Sequence, residues 1–446
     1  MRKAFEGVFA AVIFVGAFTA AMAPQAGVPS GWRFEVESYT LRNGLRVVLS
    51  RDPSLPTVSV VVAYGAGSIR EQPGQVGLAY LMENMMFQGS ENVSPLQHIN
   101  YIQKIGGELN ANTTLDKALF YETLPSNQLG LALWLESDRM KSLLLTPASV
   151  QKSQEELFTE YQSRLAAEPY LESYSAFDTL LYPDFPYGHP LIDGSEALAG
   201  LTPAAVEAFH AQYYVPNNAV LAIAGNIQAA RAKELVAKYF ESIPPGPDVP
   251  VPPVPHFGQR QAVVETVKAV AAPYAGFHLG YRFYPLQTRD AYSLRVMEYV
   301  LVRGQTSRLY SRIMRRDLTA QYMTGSLEDR HGVLALKIFV LAVNDVLAER
   351  SLKSLISEIE KLKVNLVSED EIKKAKDFFK MDYYERMSNT LDRALYLVDA
   401  AFSDVPLDAL SSELGKYMRV TPQNLYSLAN RFFNPQNMVI LNLGTR

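Results

Sequence analysis

Residues Thr202–Gly225 read TPAAVEAFHAQYYVPNNAVLAIAG, and residues Thr421–Gly444 read TPQNLYSLANRFFNPQNMVILNLG. At a single offset of 219 residues, the leading Thr-Pro, Tyr213 and Phe432, Tyr214 and Phe433, Pro216 and Pro435, Asn218 and Asn437, Val220 and Val439, and the closing Gly225 and Gly444 coincide or substitute mildly. Each copy predicts the same local structure. Thr caps a helix whose first position is Pro, where a missing N–H costs nothing. In the first copy an apolar strand follows over Ala219–Ala224. A second pair repeats in the same order at an offset of 215: Leu81-Met82-Glu83 ahead of Gly89, and Val296-Met297-Glu298 ahead of Gly304. Two matched blocks in one order indicate an internal duplication.

Between the copies, seven of the twelve residues Pro244–Pro255 are proline. Such a stretch is extended and semi-rigid and cannot enter a sheet interior. It divides the chain into a first half over 34–243, a linker over 244–259 and a second half over 260–446. In the first half, Asn43-Gly44 is a hairpin signal ahead of the strand Leu45–Leu49. Thr57–Ala63 is β-branched and apolar, a buried strand, while Gly77–Phe87 and Ala148–Leu165 read as helices. Each half therefore mixes several strands with several helices, an α+β arrangement.

Composition narrows the function. Lys plus Arg number 42 against 46 Asp plus Glu, a formal charge of −4, which lacks the basic excess of a nucleic-acid binder. No cysteine is present, so disulfides, thiolate metal sites, cysteine nucleophiles and a lipid anchor on cysteine are excluded. Any metal must use carboxylates and the six histidines His98, His189, His210, His256, His278 and His331. These contain no i,i+3 or i,i+4 pair, so each reads as a lone surface or core residue. No G-x-S-x-G or P-loop signature occurs. At the start, Arg2 and Lys3 precede the apolar run Val8–Phe18 and the small residues Thr19–Ala23, the pattern of a cleaved signal peptide over 1–23. The alternative is a membrane anchor, for which the 17 residues Gly7–Ala23 are at the short limit. No later stretch is long and apolar enough to span, so the mature chain is expected to carry no integral span and to be periplasmic or secreted. A cysteine-free exported protein suits a periplasm.

The helix at Gly77-Leu-Ala-Tyr80-Leu-Met-Glu83-Asn84-Met-Met-Phe-Gln-Gly89 resembles the inverted zinc-peptidase motif H-x-x-E-H of the insulinase/pitrilysin family. Two His at i and i+4 share one helix face and grip one zinc, while the Glu acts as base on its water. Tyr80 stands where the first His belongs, Asn84 where the second belongs, and Glu83 at the position of the base. The family's third ligand, a Glu some 76 residues on, falls on Glu160, with Glu156 one turn earlier as an alternative. An acid usual seven residues before that ligand falls on Ser153. Tyr is a neutral phenol at neutral pH, and Asn offers only an amide oxygen, whereas zinc prefers imidazole, thiolate and carboxylate. No metal is therefore expected at Tyr80, Glu83, Asn84 and Glu160. The bland reading of Tyr80 and Glu83 is a packed helix face with one satisfied carboxylate.

Two further blocks carry the resemblance. Gly304 to Tyr322 is similar to the family's second-half signature, a helical Arg followed seven residues later by Tyr, here Arg315 and Tyr322. The resemblance implies that this pair reaches a zinc site of another half, holding substrate backbone and the developing oxyanion. On spacing alone, Arg315 is one solvated Arg among Arg312, Arg315 and Arg316, and Tyr322 a strand residue. Gly106-Gly107-Glu-Leu-Asn110-Ala111-Asn-Thr113 resembles the family's edge strand, which can accept a peptide as an added strand. By the resemblance, the fold is two duplicated halves, each a mostly antiparallel sheet with helices packed on it, forming a clamshell chamber.

The family implies three readings of function. One is a non-catalytic, substrate-binding subunit of a heterodimeric zinc peptidase, of the bacterial, processing-peptidase-like kind. Arg315 and Tyr322 would then complete the site of a homologous partner that carries H-x-x-E-H and the zinc, and the substrates would be peptides or unfolded polypeptides. The second is a peptide-binding scaffold or chaperone-like envelope protein without peptidase activity. The third is a divergent enzyme with unusual ligands, which requires a tightly held metal.

Overall fold

The computed structural model describes residues 35–192, 194–252, 263–268, 273–403 and 405–444. The signal expected over 1–23 lies outside these residues, as do 253–259 of the linker. The strands are β1 (Val36–Thr40), β2 (Arg46–Arg51), β3 (Thr57–Tyr64), β4 (Glu108–Thr113), β5 (Ala118–Pro125), β6 (Ala219–Gly225), β7 (Val263–Lys268), β8 (Ala275–Phe283), β9 (Tyr322–Arg330), β10 (Val333–Ala342) and β11 (Met438–Gly444). They form two sheets, of order β1-β2-β6-β3-β5-β4 and β7-β11-β8-β10-β9.

The duplication read from the sequence is visible in this topology. Removing β1 leaves β2-β6-β3-β5-β4, which matches β7-β11-β8-β10-β9 strand for strand. In each sheet one contact is parallel, β2 with β6 and β7 with β11, and the others are antiparallel. The expected α+β class, two duplicated halves of mostly antiparallel sheet with helices packed on them in a clamshell, is the fold adopted.

The quoted copies fold alike. Thr202 and Thr421 cap the helices Pro203–Tyr213 and Pro422–Phe432, each accepting a backbone N–H on its side-chain oxygen and each followed by Pro. The strands that follow are β6 and β11. Gly89 and Gly304, the ends of the second repeated block, both take left-handed backbone, at φ 108° and 78°. At the predicted hairpin, Gly44 has φ 89°, and a Cβ there would lie 2.7 Å from the Asn217 side chain, so only glycine fits between these loops. The expected helices are Leu78–Met85 and Pro147–Ala167. The second begins one residue early because Thr146 and Ser149 form a reciprocal capping box with Pro at the first position.

Every residue of β6 and β8 is buried, because both faces of each sheet are covered. One cover comes from the same half. The other is exchanged. The helix Thr390–Phe402, from the second half, lays Ala394, Leu397 and Val398 on Val61, Ala63, Val220 and Ala222 of the first sheet. Its ends are tied by Arg393 to Asp52 at 2.7 Å, by Thr390 to Ser59 at 2.8 Å and by Arg46 to the Ala401 carbonyl at 2.6 Å. The helix Leu171–Leu181, from the first half, sets Phe177 and Leu181 against Ala335, Phe339, Val439 and Leu441 of the second sheet. Asp178 of that helix receives Arg330 and Lys337 from β9 and β10. Residues Phe34–Arg446 accordingly form one compact unit.

Candidate functional site

The helix Leu78–Met85 places Tyr80 and Asn84 one turn apart on one face. The long helix Pro147–Ala167 runs beside it and supplies a partner to each. The Tyr80 hydroxyl donates to Glu160 Oε1 at 2.8 Å, and the Ser153 hydroxyl donates to Asn84 Oδ1 at 3.0 Å. Gln88 Nε2 also donates to Asn84 Oδ1, at 3.1 Å. The three positions at which the resemblance expects ligands, and the one seven residues before the third at which it expects an acid, are thus paired with one another by hydrogen bonds. Of the two carboxylates weighed for the third position, Glu160 is the one that reaches Tyr80, while Glu156 faces Lys152 at 3.6 Å on the surface.

This donor set does not fit zinc. Burial drives the Tyr80 phenol far above its ordinary range, and the charge of Glu160 adds to this, so the group stays a neutral hydrogen-bond donor. The Asn84 amide oxygen is already taken twice. Only the carboxylates of Glu83 and Glu160 remain, short of the imidazole and thiolate sets that hold zinc.

Glu83 departs from the sequence reading in one respect. It is buried, and its Oε2 has no hydrogen-bond partner, so the carboxylate is not fully satisfied. Burial raises its pKa, Thr113 of β4 opposes the shift, and the nearby Glu160 adds to it. The repeated position behaves alike. Glu298 in the second half is raised by burial and faces the backbone of Leu327 on β9, as Glu83 faces β4. A carboxyl facing the outermost strand is therefore part of the architecture of both halves and requires no metal to explain it.

The strand β4 is the outermost strand of its sheet, as expected of the Gly106–Thr113 block. Asn110 and Asn112 point outward, and Ala111 and Thr113 are buried. Asn110 lies opposite Tyr121 of β5. The Tyr121 hydroxyl is raised by burial and by the charge of Glu83, with a hydrogen bond from Asn110 opposing. The charge of Glu83 thus acts on both Tyr121 and Tyr80, and that of Glu160 on Tyr80 and Glu83.

Arg315 and Tyr322 flank the equivalent edge of the second sheet. Residues Ser311–Arg316 wind as a π-helical turn, a rare geometry that concentrates at functional sites. Arg308 braces its start through paired bonds to Glu371 at 2.6 and 2.8 Å, which hold the Glu371 carboxyl down to about 2. At its end Asp317 accepts from Arg312 at 2.9 Å and from Ser354 at 2.6 Å. Of the three arginines, Arg315 alone lies over the Tyr310 ring, at 5.9 Å, with one nitrogen 3.2 Å from Gln305 Oε1. Tyr322 opens β9 and is 41 % exposed, its ring 6.1 Å from Phe339. Among the described residues no hydrogen bond or ion pair joins Arg315 or Tyr322 to the Tyr80–Glu160 group.

Sequence reading missed one group. His98, Glu122 and Glu136 are buried with ligand atoms within 4.8 Å of one another, and His98 Nε2 lies 3.4 Å from Glu122 Oε2. They come from a helix, a strand and another helix, so no local spacing announces them. Burial pushes His98 down to about 3 and Glu122 up to about 7. A cation does not fit here either. Both Glu136 oxygens accept from the buried guanidinium of Arg139, itself over the Phe120 ring at 4.5 Å.

The descriptions "Insulinase (Peptidase family M16)" and "Peptidase M16 inactive domain" match residues 46–176 and 200–379 respectively. The zinc protease PqqE of Helicobacter pylori is 25% identical over 411 residues, 89% of this chain and 90% of that protein. The crystal structure of a protease from Helicobacter pylori superposes with a TM-score of 0.86 at 23% identity, covering 92% of this chain and 99% of that one. The periplasmic protease PqqL of Escherichia coli superposes with a TM-score of 0.75 at 18% identity, covering 94% of this chain but 48% of PqqL. No helix among the described residues is long and apolar enough to cross a membrane. With both halves matched in order and Tyr80 and Asn84 at the histidine positions of the metal helix, the chain belongs to the insulinase family, peptidase family M16, as a member with a degenerate metal site.

Proposed function

We propose that this chain is the non-catalytic, substrate-binding subunit of a heterodimeric zinc metallopeptidase acting on peptides or unfolded polypeptides. Its partner is a homologous chain with H-x-x-E-H that holds the zinc. The observation that carries this reading is an asymmetry between two edges. At the first, Tyr80 and Asn84 stand at the histidine positions and bond to Glu160 and Ser153 in place of a metal. At the second, Arg315 and Tyr322 stay exposed on a braced π-helical turn and strand start, and among the described residues neither is hydrogen-bonded or ion-paired to the Tyr80–Glu160 group. A guanidinium and a phenol aimed at a carbonyl oxygen stabilise the oxyanion of a peptide-bond transition state. PqqL, about twice this chain's length in the superposition, supports the idea that two such lengths make one peptidase.

In this reading the first half spans 34–243, the linker 244–259 and the second half 260–446. The chain is exported on the 1–23 signal and works in the periplasm. Asn110 and Ala111 on the open strand β4 hold substrate backbone by strand addition. That open edge also favours the second reading, a peptide-holding scaffold without a peptidase partner. Arg315→Ala in the assembled complex separates them. Loss of oxyanion stabilisation lowers kcat on the order of 10²-fold, and an unchanged rate overturns the role of Arg315.

A further inference from the structure

We propose that the degenerate metal site receives a primary ammonium group of a bound peptide, from a lysine side chain or a free α-amine. The inference deepens the peptide-binding part of the reading above and rests on it. Where a zinc peptidase places a dication, this chain keeps the carboxylates of Glu83 and Glu160 and supplies only the neutral phenol of Tyr80, hydrogen-bonded to Glu160 at 2.8 Å. The charge of Arg164 also acts on this phenol, and Arg164 itself lies 3.5 Å from Glu168. Among the described residues no hydrogen bond or ion pair joins a cation to Glu83 or Glu160.

A second, independent observation points to a ligand. Glu83 is 4 % exposed and its Oε2 has no hydrogen-bond partner. A buried carboxylate oxygen left without a donor destabilises the fold, and an N–H donor from a ligand relieves that cost. An ammonium has three donors on one compact charge. The site offers Glu83 Oε2 and the second oxygen of half-buried Glu160. A calcium ion needs six to eight oxygens, which this group does not supply.

The edge strand directs a bound peptide toward these carboxylates. A peptide added to β4 turns alternate side chains to opposite faces. Ala111 and Thr113 face inward, and Thr113 is the residue that Glu83 meets. A peptide side chain on that face, at the level of Thr113, is directed at Glu83 and Glu160. The positive group stands where the family's zinc would stand, so the site selects substrate rather than cleaving it.

The test uses the purified chain alone and fluorescence anisotropy of dye-labelled extended peptides at low salt. One set differs only by Lys, acetyl-Lys or norleucine at a single position. Another differs only by a free or acetylated N-terminus. The expected result is about tenfold weaker binding when the responsible ammonium is removed, a difference of about 1.4 kcal/mol, with the set that responds identifying lysine or α-amine as the source. Glu83→Gln and Glu160→Gln are expected to abolish the preference, so that the lysine and norleucine peptides bind each variant equally, with unchanged circular dichroism. Equal binding of all peptides overturns this inference and leaves the peptide-binding reading standing. Binding of no peptide overturns both. Titration with calcium or zinc that saturates at one ion per chain and displaces the lysine peptide assigns the site to a metal and overturns the inference.

Discussion

Tyr80→Phe deletes one hydroxyl from the centre of the degenerate site. Tyr80 is 9 % exposed, and its hydroxyl donates to a carboxylate at 2.8 Å. Hydrogen bonds to charged groups contribute about 1.5–3 kcal/mol. Glu160 is only half-buried, so water recovers part of its solvation when the phenol is gone, which places the loss near the lower end, about 1.5 kcal/mol. The ring itself keeps its packing, because Phe fills the same space. Urea denaturation followed by circular dichroism should show a lower midpoint with an unchanged slope. A true metal site behaves in the opposite way, since removing a ligand from a metal-free protein relieves crowding of polar groups and stabilises the fold. A variant as stable as the parent, or more stable, refutes the claim that the Tyr80–Glu160 pair holds this site together.

Three further outcomes follow from the same geometry. Glu122 has a folded pKa of about 7 against 4.5 for the free group, so the folded state binds its proton more tightly and the resulting stability, about 3 kcal/mol, is present below pH 4.5 and lost as pH rises to about 7. Glu122→Gln should therefore gain on the parent by about that amount between pH 4.5 and 7.5 in urea titrations, and a gap independent of pH refutes the assignment. Leu397→Ala opens a cavity under the exchanged Thr390–Phe402 helix, where Leu397 is 2 % exposed, at a cost of about 2–5 kcal/mol. Both tryptophans, Trp32 and Trp134, precede the linker, so tryptophan fluorescence and circular dichroism midpoints should fall together, and a shift seen by circular dichroism alone contradicts the interlock. The double variant Tyr80→His with Asn84→His supplies two imidazoles on one helix face beside Glu160, the ligand types zinc prefers, and metal analysis should find roughly one zinc per chain.

The internal repeat carried most of the fold. Thr202-Pro203 and Thr421-Pro422 announced capped helices, and the apolar runs after them announced β6 and β11, because capping and strand patterning are local. The helix exchange was not readable, since the sheet-facing residues of Thr390–Phe402 and Leu171–Leu181 look like those of any amphipathic helix until their partners are known. At the site, the identities of Tyr80, Asn84 and Glu160 followed from the family spacing, whereas the Ser153–Asn84 bond required the packing of two helices that bring together residues 69 apart in sequence. The unpaired Glu83 oxygen and the His98–Glu122–Glu136–Arg139 group are products of burial, which no spacing encodes.

The most direct test of the central claim is native mass spectrometry, with metal analysis of each species, on the protein isolated from the envelope fraction of its own cells. The expected result is a complex with a second chain of this family carrying H-x-x-E-H, with one zinc that follows the partner when the two are separated. Stoichiometric zinc retained by this chain alone contradicts it.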